Sequence, residues 1–270
     1  MTVPAARSSG GNGSRPTGGF DCTPESGYHG RMLIAGVIVA AGRGHRLGGD
    51  IPKQYARLGT SCALRQSIEA FLATPRIGAL QVVIHPDDHP LYAEAVRGVW
   101  DRRLLPPASG GATRAASVLK GLEALAPRGP EGVLIHDAAR PFVPFAVIEA
   151  VIDALDHAPG AFAALPVVDA LWTSEDHRAE RPVPRDGLWR AQTPQGFRFE
   201  AILAAHHAHD GDAADDVAVA RAAGLEVRIV LGSEANYKIT TAADLARAQA
   251  DIERAVAPEP PRVELIVSRS

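Results

Sequence analysis

The chain has 270 residues, 46% of them hydrophobic, and a formal net charge of −3. That length suits one α/β domain or two small ones, and a slightly acidic balance creates no basic field to draw nucleic acid. No apolar run reaches the roughly 18 residues of a membrane span, and two distant cysteines, Cys22 and Cys62, build no disulfide framework. The expectation is a cytoplasmic globular protein.

Residues 1–31 are rich in Gly, Ser, Pro and Thr and nearly free of aliphatic side chains. Such a segment buries too little surface to offset its ordering entropy and reads as a disordered extension. It lacks the apolar core of a secretory signal. Met32, just ahead of the first strand, is an expected alternative start of translation. Ile34–Ala40 is apolar with β-branched enrichment, the pattern of a strand buried in a parallel sheet. It empties into a loop with glycines at 42, 44, 48 and 49, where close backbone approach can aim amides at phosphate. Arg43, Arg46 and Lys53 are interleaved with these glycines. The spacing is neither the dinucleotide fingerprint nor a P-loop. Mobile cations beside a glycine cradle suit a triphosphate whose charge shifts during reaction, although Arg43 reads equally as a solvated arginine.

Ser61 is the expected N-cap of a helix whose face carries Leu64, Ile68, Phe71 and Leu72. A short strand over 80–84 and a helix over 87–98 follow, with His85 and His89 as loop residues. Ser109-Gly110-Gly111-Ala112-Thr113-Arg114 is a second glycine turn, opening a helix to about Leu125 that Thr113 can cap. Gly132–Ile135 is a buried strand delivering His136-Asp137-Ala138-Ala139-Arg140-Pro141 at its carboxyl end, where open parallel sheets bind ligands. Asp137 there can hold Mg²⁺ or a substrate hydroxyl, or pair structurally with an arginine. A helix over 145–157 and a strand over 161–168 come next.

From Asp169 to Arg190 the segment is too polar for a core and reads as a protruding hairpin arm. His206, His207 and His209 with Asp210 and Asp212 read as a solvated helix end rather than a metal site. Asp215 is the expected cap of a helix to about Ala223. A strand over 225–231 and a final amphipathic helix from about Ala242 close the domain, and residues 258–270 form a tail without a motif. Strands alternating with helices imply one three-layer, Rossmann-like α/β domain over 32–257, with a mostly parallel sheet and a protruding β-arm.

Four motifs occur in order: Ala40-Ala41-Gly42-Arg43-Gly44-His45-Arg46-Leu47 with Pro52-Lys53-Gln54, the 110–118 glycine turn, the 136–141 stretch, and Gln192-Thr193-Pro194-Gln195. From Met32 to about Ala255 the chain resembles the 2-C-methyl-D-erythritol 4-phosphate cytidylyltransferases. The resemblance implies transfer of a cytidylyl group from CTP to a polyol phosphate with release of pyrophosphate, assisted by Mg²⁺ near Asp137. It implies Arg46 and Lys53 as the catalytic cations. Ala40, Ala41, Gly42, Arg43, Gly44, Gly110, Gly111, Arg114 and Ser117 would hold the nucleotide. Asp137, Arg140, Thr193, Lys238 and Arg185 would position the acceptor, Arg185 from an arm that reaches across a homodimer. One departure stands out: Asp169-Ala170 replaces the family's frequent Asp-Thr at the arm base, removing a hydroxyl expected near the acceptor phosphate. A ribitol 5-phosphate cytidylyltransferase, or a nucleotide sensor without catalysis, would use the same motifs.

Overall fold

The chain divides into two units, Met1–Arg31 and Met32–Ser270. The computed structural model describes residues 1–2, 32–43, 51–211 and 213–256. The expectations for residues 3–31 and 258–270, and those for Gly44, Arg46, Gly48, Gly49 and Asp212, lie outside the described residues.

Among the described residues the second unit runs β1 (Ile34–Ala40), β2 (Arg57–Leu58), β3 (Ser61–Cys62), α1 (Ala63–Leu72), β4 (Ile77–Ile84), α2 (His89–Ala95), β5 (Ala108–Ser109) and α3 (Arg114–Leu125). It continues with β6 (Gly132–Asp137), α4 (Phe145–Ala154), β7 (Gly160–Pro166), β8 (Leu171–Glu175), β9 (Arg178–Val183), β10 (Trp189–Arg198), α5 (Phe199–Ala208), α6 (Asp216–Ala222), β11 (Val227–Leu231) and α7 (Ala242–Val256). Seven strands form one sheet in the order β11-β7-β10-β6-β1-β4-β5. All neighbours are parallel except β10, which runs antiparallel to both β6 and β7.

β1 shows why the sheet is a middle layer. Ile34, Ile38 and Ala40 join the apolar cluster containing α1 and α4, while Ala35 and Val37 join the cluster containing α3, α5 and α6. Successive strand side chains point to opposite faces, so an unbroken apolar run needs a cover on both. Gly36 brings α1 close: a Cβ there would stand 2.8 Å from the Phe71 ring. From β1 the chain moves outward to β4 and β5, then crosses back to β6 on the opposite edge of β1. Such a reversal leaves a crevice beyond the carboxyl ends of β1 and β6, the usual ligand position in open α/β sheets.

Three local expectations are corrected. Ser61 is not a helix cap, because the β2–β3 hairpin, turning at Gly59 with φ of 59°, draws it into an extended pair with Leu58. The N-cap of α1 is Cys62, with no side-chain cap bond. The segment over 87–98 is a 3₁₀ turn (Pro86–Asp88) followed by a helix of only seven residues. Trp189 and Arg190, read as the end of the arm, already pair with Pro166 and Leu165 as the start of β10. The arm itself is the antiparallel β8–β9 hairpin. Within β10 the ladder to β7 breaks between Ala191 and Gln195, where Pro194 has no N–H to contribute.

Candidate active site

The carboxyl ends of β1 and β6 open into a cleft of about 480 Å³. Ala40, Ala41, Gly42 and Arg43 line one wall, Gly111, Arg114 and Ser117 a second, and Lys53, Asp137 and Lys238 the floor between them.

The first wall is pinned by Gln54, a buried side chain whose amide donates to the carbonyls of Ala40 (2.6 Å) and Gly42 (3.0 Å). Those bonds fix the exit of β1 and, one residue along the same 3₁₀ turn, set Lys53 at the cleft. Arg43 lines the cleft with its charge already engaged, at 2.9 Å from both Asp87 and Asp88 and 2.6 Å from Nδ1 of His85. The turn after β4, where the sequence suggested a loop at His85 and a helix opening at Asp87, is therefore the anchor of this arginine.

The second wall is the start of α3. Thr113 caps it by accepting the N–H of Ala116. The Ser117 hydroxyl accepts the N–H of Gly111 at 3.0 Å and donates to the Thr113 carbonyl at 2.9 Å, so it shapes the glycine turn from within. Gly110 is packed beside the wall: a Cβ there would stand 2.4 Å from that of Ala41. The two glycine loops touch each other.

Asp137 ends β6 at the centre. Lys238 Nζ lies 2.6 Å from Oδ2, and Arg114 Nε lies 3.3 Å from Oδ1. Lys238 arrives from 101 residues away because Ile239 donates its N–H to the Ala139 carbonyl at 2.8 Å. Burial alone would raise the Asp137 pKa, but Arg114 and Lys238 outweigh it and hold the carboxyl well below the usual range. The matching shift in Arg114 is upward: burial opposes its charge, and Asp216 and Asp137 more than restore it.

Thr193 and Arg140 do not line the cleft. Thr193 is buried behind Asp137 and accepts its backbone N–H at 3.1 Å. His136 is pushed down to about 4 by burial, and is neutral at pH 7. Its Nε2 lies 3.0 Å from the Arg140 carbonyl, which can only accept, so Nε2 carries the proton. Nδ1 then accepts the Thr193 hydroxyl proton at 3.0 Å. Arg140 donates to the carbonyls of Asn236 (2.7 Å) and Ala191, tying the Lys238 loop to β10. Arg185 lies at the base of the arm, just after β9, bonded to the Val168 carbonyl, and does not line the cleft of its own chain.

His206 departs from its reading as a solvated helix end: it is buried, with Nε2 3.2 Å from Asp216 Oδ1. Asp216 in turn meets Arg114 Nη2 at 2.8 Å. Sequence reasoning missed Gln54, Asp88, Gln195, Asp216 and His206 as parts of the site. Gln54 and Gln195 stand inside recognised motifs, a usable signal, whereas His206 sits in a polar run that carries none.

As for a metal, no group of three or more His, Cys, Asp or Glu that could hold one occurs among the described residues. A lone carboxylate fits Mg²⁺, which is commonly held by one or two carboxylates together with substrate phosphates.

The family model described as 2-C-methyl-D-erythritol 4-phosphate cytidylyltransferase matches residues 34–254. A protein of that name from Cereibacter sphaeroides is 54% identical over 218 residues, covering 81% of this chain and 96% of the relative. A 4-diphosphocytidyl-2C-methyl-D-erythritol synthase from Anaerococcus prevotii superposes with a TM-score of 0.71 at 27% identity, over 83% of this chain and 99% of the other. The 2-C-methyl-D-erythritol 4-phosphate cytidylyltransferase of Thermus thermophilus gives a TM-score of 0.67 at 31% identity, over 82% and 100%.

Proposed function

The chain belongs to the 2-C-methyl-D-erythritol 4-phosphate cytidylyltransferase family, and from that premise we propose how its residues convert CTP and 2-C-methyl-D-erythritol 4-phosphate to 4-diphosphocytidyl-2-C-methyl-D-erythritol and pyrophosphate in isoprenoid precursor synthesis. The observation that carries the reading is the row Lys238–Asp137–Arg114 lying between two glycine loops. An acceptor phosphate oxygen attacks the α-phosphorus of CTP, and the bond to the leaving pyrophosphate breaks in line. A phosphate monoester with its second pKa near 6 is largely dianionic at pH 7, so it needs no general base. A carboxylate as firmly held ionised as Asp137 would be a poor one.

The barrier is electrostatic: a dianion must approach a triphosphate. Lys53, with Arg46 from the glycine loop, stabilises charge that moves onto the pyrophosphate. Gly110, Gly111, Arg114 and Ser117 read the cytidine, and Ala40 to Gly44 cradle the phosphates. Lys238 meets the acceptor end, while Arg140 and Thr193 act from behind it by holding the Lys238 loop and the Asp137 backbone. Asp137 would hold a Mg²⁺ arriving with the triphosphate, and that ion, when bound, supplies charge neutralisation across it.

The working unit is a homodimer in which the arm carries Arg185 to the neighbour's acceptor site. Trp172 on the arm and Leu188 and Trp189 at its base, exposed at 58%, 40% and 42%, support it, because exposed large apolar side chains mark interaction surfaces. The free thiol of Cys62 supports a cytoplasmic home, and no helix among the described residues is long and apolar enough to cross a membrane. The catalytic unit is assigned to residues 32–257.

³¹P NMR of the enzyme with CTP and each of two acceptors tests the assignment. It should show 4-diphosphocytidyl-2-C-methyl-D-erythritol and pyrophosphate, with UTP, ATP and GTP used poorly. Turnover of ribitol 5-phosphate at equal or higher kcat/KM would move the acceptor assignment, where Ala170 stands in place of a threonine.

A further inference from the structure

Behind the cleft, a row of polar side chains continues into the protein, its last approach, His206 Nε2 to Asp216 Oδ1, being a close contact outside hydrogen-bond geometry. Lys238, Asp137, Arg114, Asp216 and His206 follow one another at 2.6, 3.3, 2.8 and 3.2 Å. Asp216 and His206 are each only 1% exposed at the side chain and neither lines the cleft. Asp216 has a built seat: Gln195 Oε1 accepts its backbone N–H at 2.9 Å and that of Val217 at 3.1 Å. Asp215 caps the same helix start by accepting the N–H of Ala218, and Gln195 Nε2 donates to its other oxygen. The cap is thus already provided, and the Asp216 carboxylate is turned elsewhere, toward Arg114.

Arg114 meets Asp216 through Nη2 and Asp137 through Nε, two nitrogens of one edge of the guanidinium. Nη1 makes no hydrogen bond among the described residues and is the part left to a ligand. Stability is a weak reason for such an arrangement, because buried ion pairs are often replaceable by apolar groups without loss. Orientation is a better one, since two carboxylates on one edge fix the plane of the guanidinium.

We propose that Asp216, seated by Gln195 and backed by His206, is a positioning residue that holds Arg114 in its nucleotide-binding orientation. The inference rests on the reading of Arg114 as a nucleotide contact. Asp216→Asn keeps the shape and removes the charge. It should raise the KM for CTP about tenfold, the worth of a charge-assisted hydrogen bond. kcat and the KM for the polyol phosphate should move less than about threefold, the pattern of lost uniform binding. Because Asp216 acts through Arg114, the double variant Asp216→Asn/Arg114→Ala should be no worse for CTP than Arg114→Ala alone.

Additive effects, or equal rises in both KM values, would overturn the proposal while leaving Arg114 as a nucleotide contact. An Arg114→Ala enzyme with unchanged KM for CTP would overturn both. If Asp216→Asn does not fold, His206→Asn decides by the same cycle. It should raise the KM for CTP about twofold in the parent and not at all in the Arg114→Ala background, and any other result overturns the role.

Discussion

Lys53→Ala should lower kcat a hundredfold or more, the usual cost of a missing transition-state donor, while CTP binding weakens only modestly; steady-state kinetics with both substrates checks it. His136 gives a second prediction at this scale. Its folded pKa is pushed down to about 4 by burial, against 6.5 for the free side chain. Between those values the unfolded chain binds more protons, so stability is full above about pH 6.5 and falls as pH drops toward 4, by on the order of 3 kcal/mol. Asp137, also depressed, adds loss of the same sign at lower pH. Urea denaturation from pH 7 to 4.5 should show this slope, and His136→Gln should flatten it. Asp137 was legible in the sequence as a charge at the end of an apolar strand and Lys53 as a cation at the exit of a glycine loop, whereas Lys238 was legible only through the family resemblance. The burial of His206 was not legible, since its partner Asp216 is ten residues on, in the next helix, a pairing that no local pattern specifies.

The two glycine loops act as elements rather than as single residues. Gly110→Ala would set a Cβ 2.4 Å from that of Ala41 and 3.0 Å from Ser117 Oγ, forcing the 110–113 turn off the end of β1. The expected outcome is a KM for CTP raised about tenfold or more, with the melting temperature lowered only slightly; kinetics and thermal unfolding separate the two effects. β1, β6 and α3 were readable from period and composition, and the Thr113 cap stands where its sequence placed it. β10 was not readable. Gln192, Thr193, Pro194 and Gln195 break the alternation of a strand, because the Gln192, Thr193 and Gln195 side chains bond to the 233–236 loop, to Asp137 and to α6 instead of packing as a plain strand face.

For the whole molecule, the arm makes the sharpest prediction. If each site draws Lys53 from one chain and Arg185 from the other, Lys53→Ala and Arg185→Ala homodimers are each nearly inactive. After subunit exchange about half the dimers are mixed, and half of their sites are intact, so activity should return to roughly a quarter of the parent value. No recovery, with mixed dimers confirmed by native mass spectrometry, would place the site within one chain. The sequence revealed the arm as a polar interruption, but not that its two ends enter adjacent strands, β7 and β10, inside an otherwise parallel sheet. That connection has a kinetic consequence. The Asp176–His177 turn, with φ of 49° and 63°, closes the β8–β9 hairpin locally. Once zipped, the hairpin leaves only residues 167–170 and 184–188 to be ordered before β10 meets β7. Loop-closure entropy then falls by about 0.8 kcal/mol relative to an open connection of roughly 22 residues. Asp176→Pro, whose ring cannot reach a positive φ, should therefore slow refolding about fourfold in stopped-flow traces while the unfolding rate barely changes. A segment that adds nothing to the core would thus set the pace at which the central strand is installed.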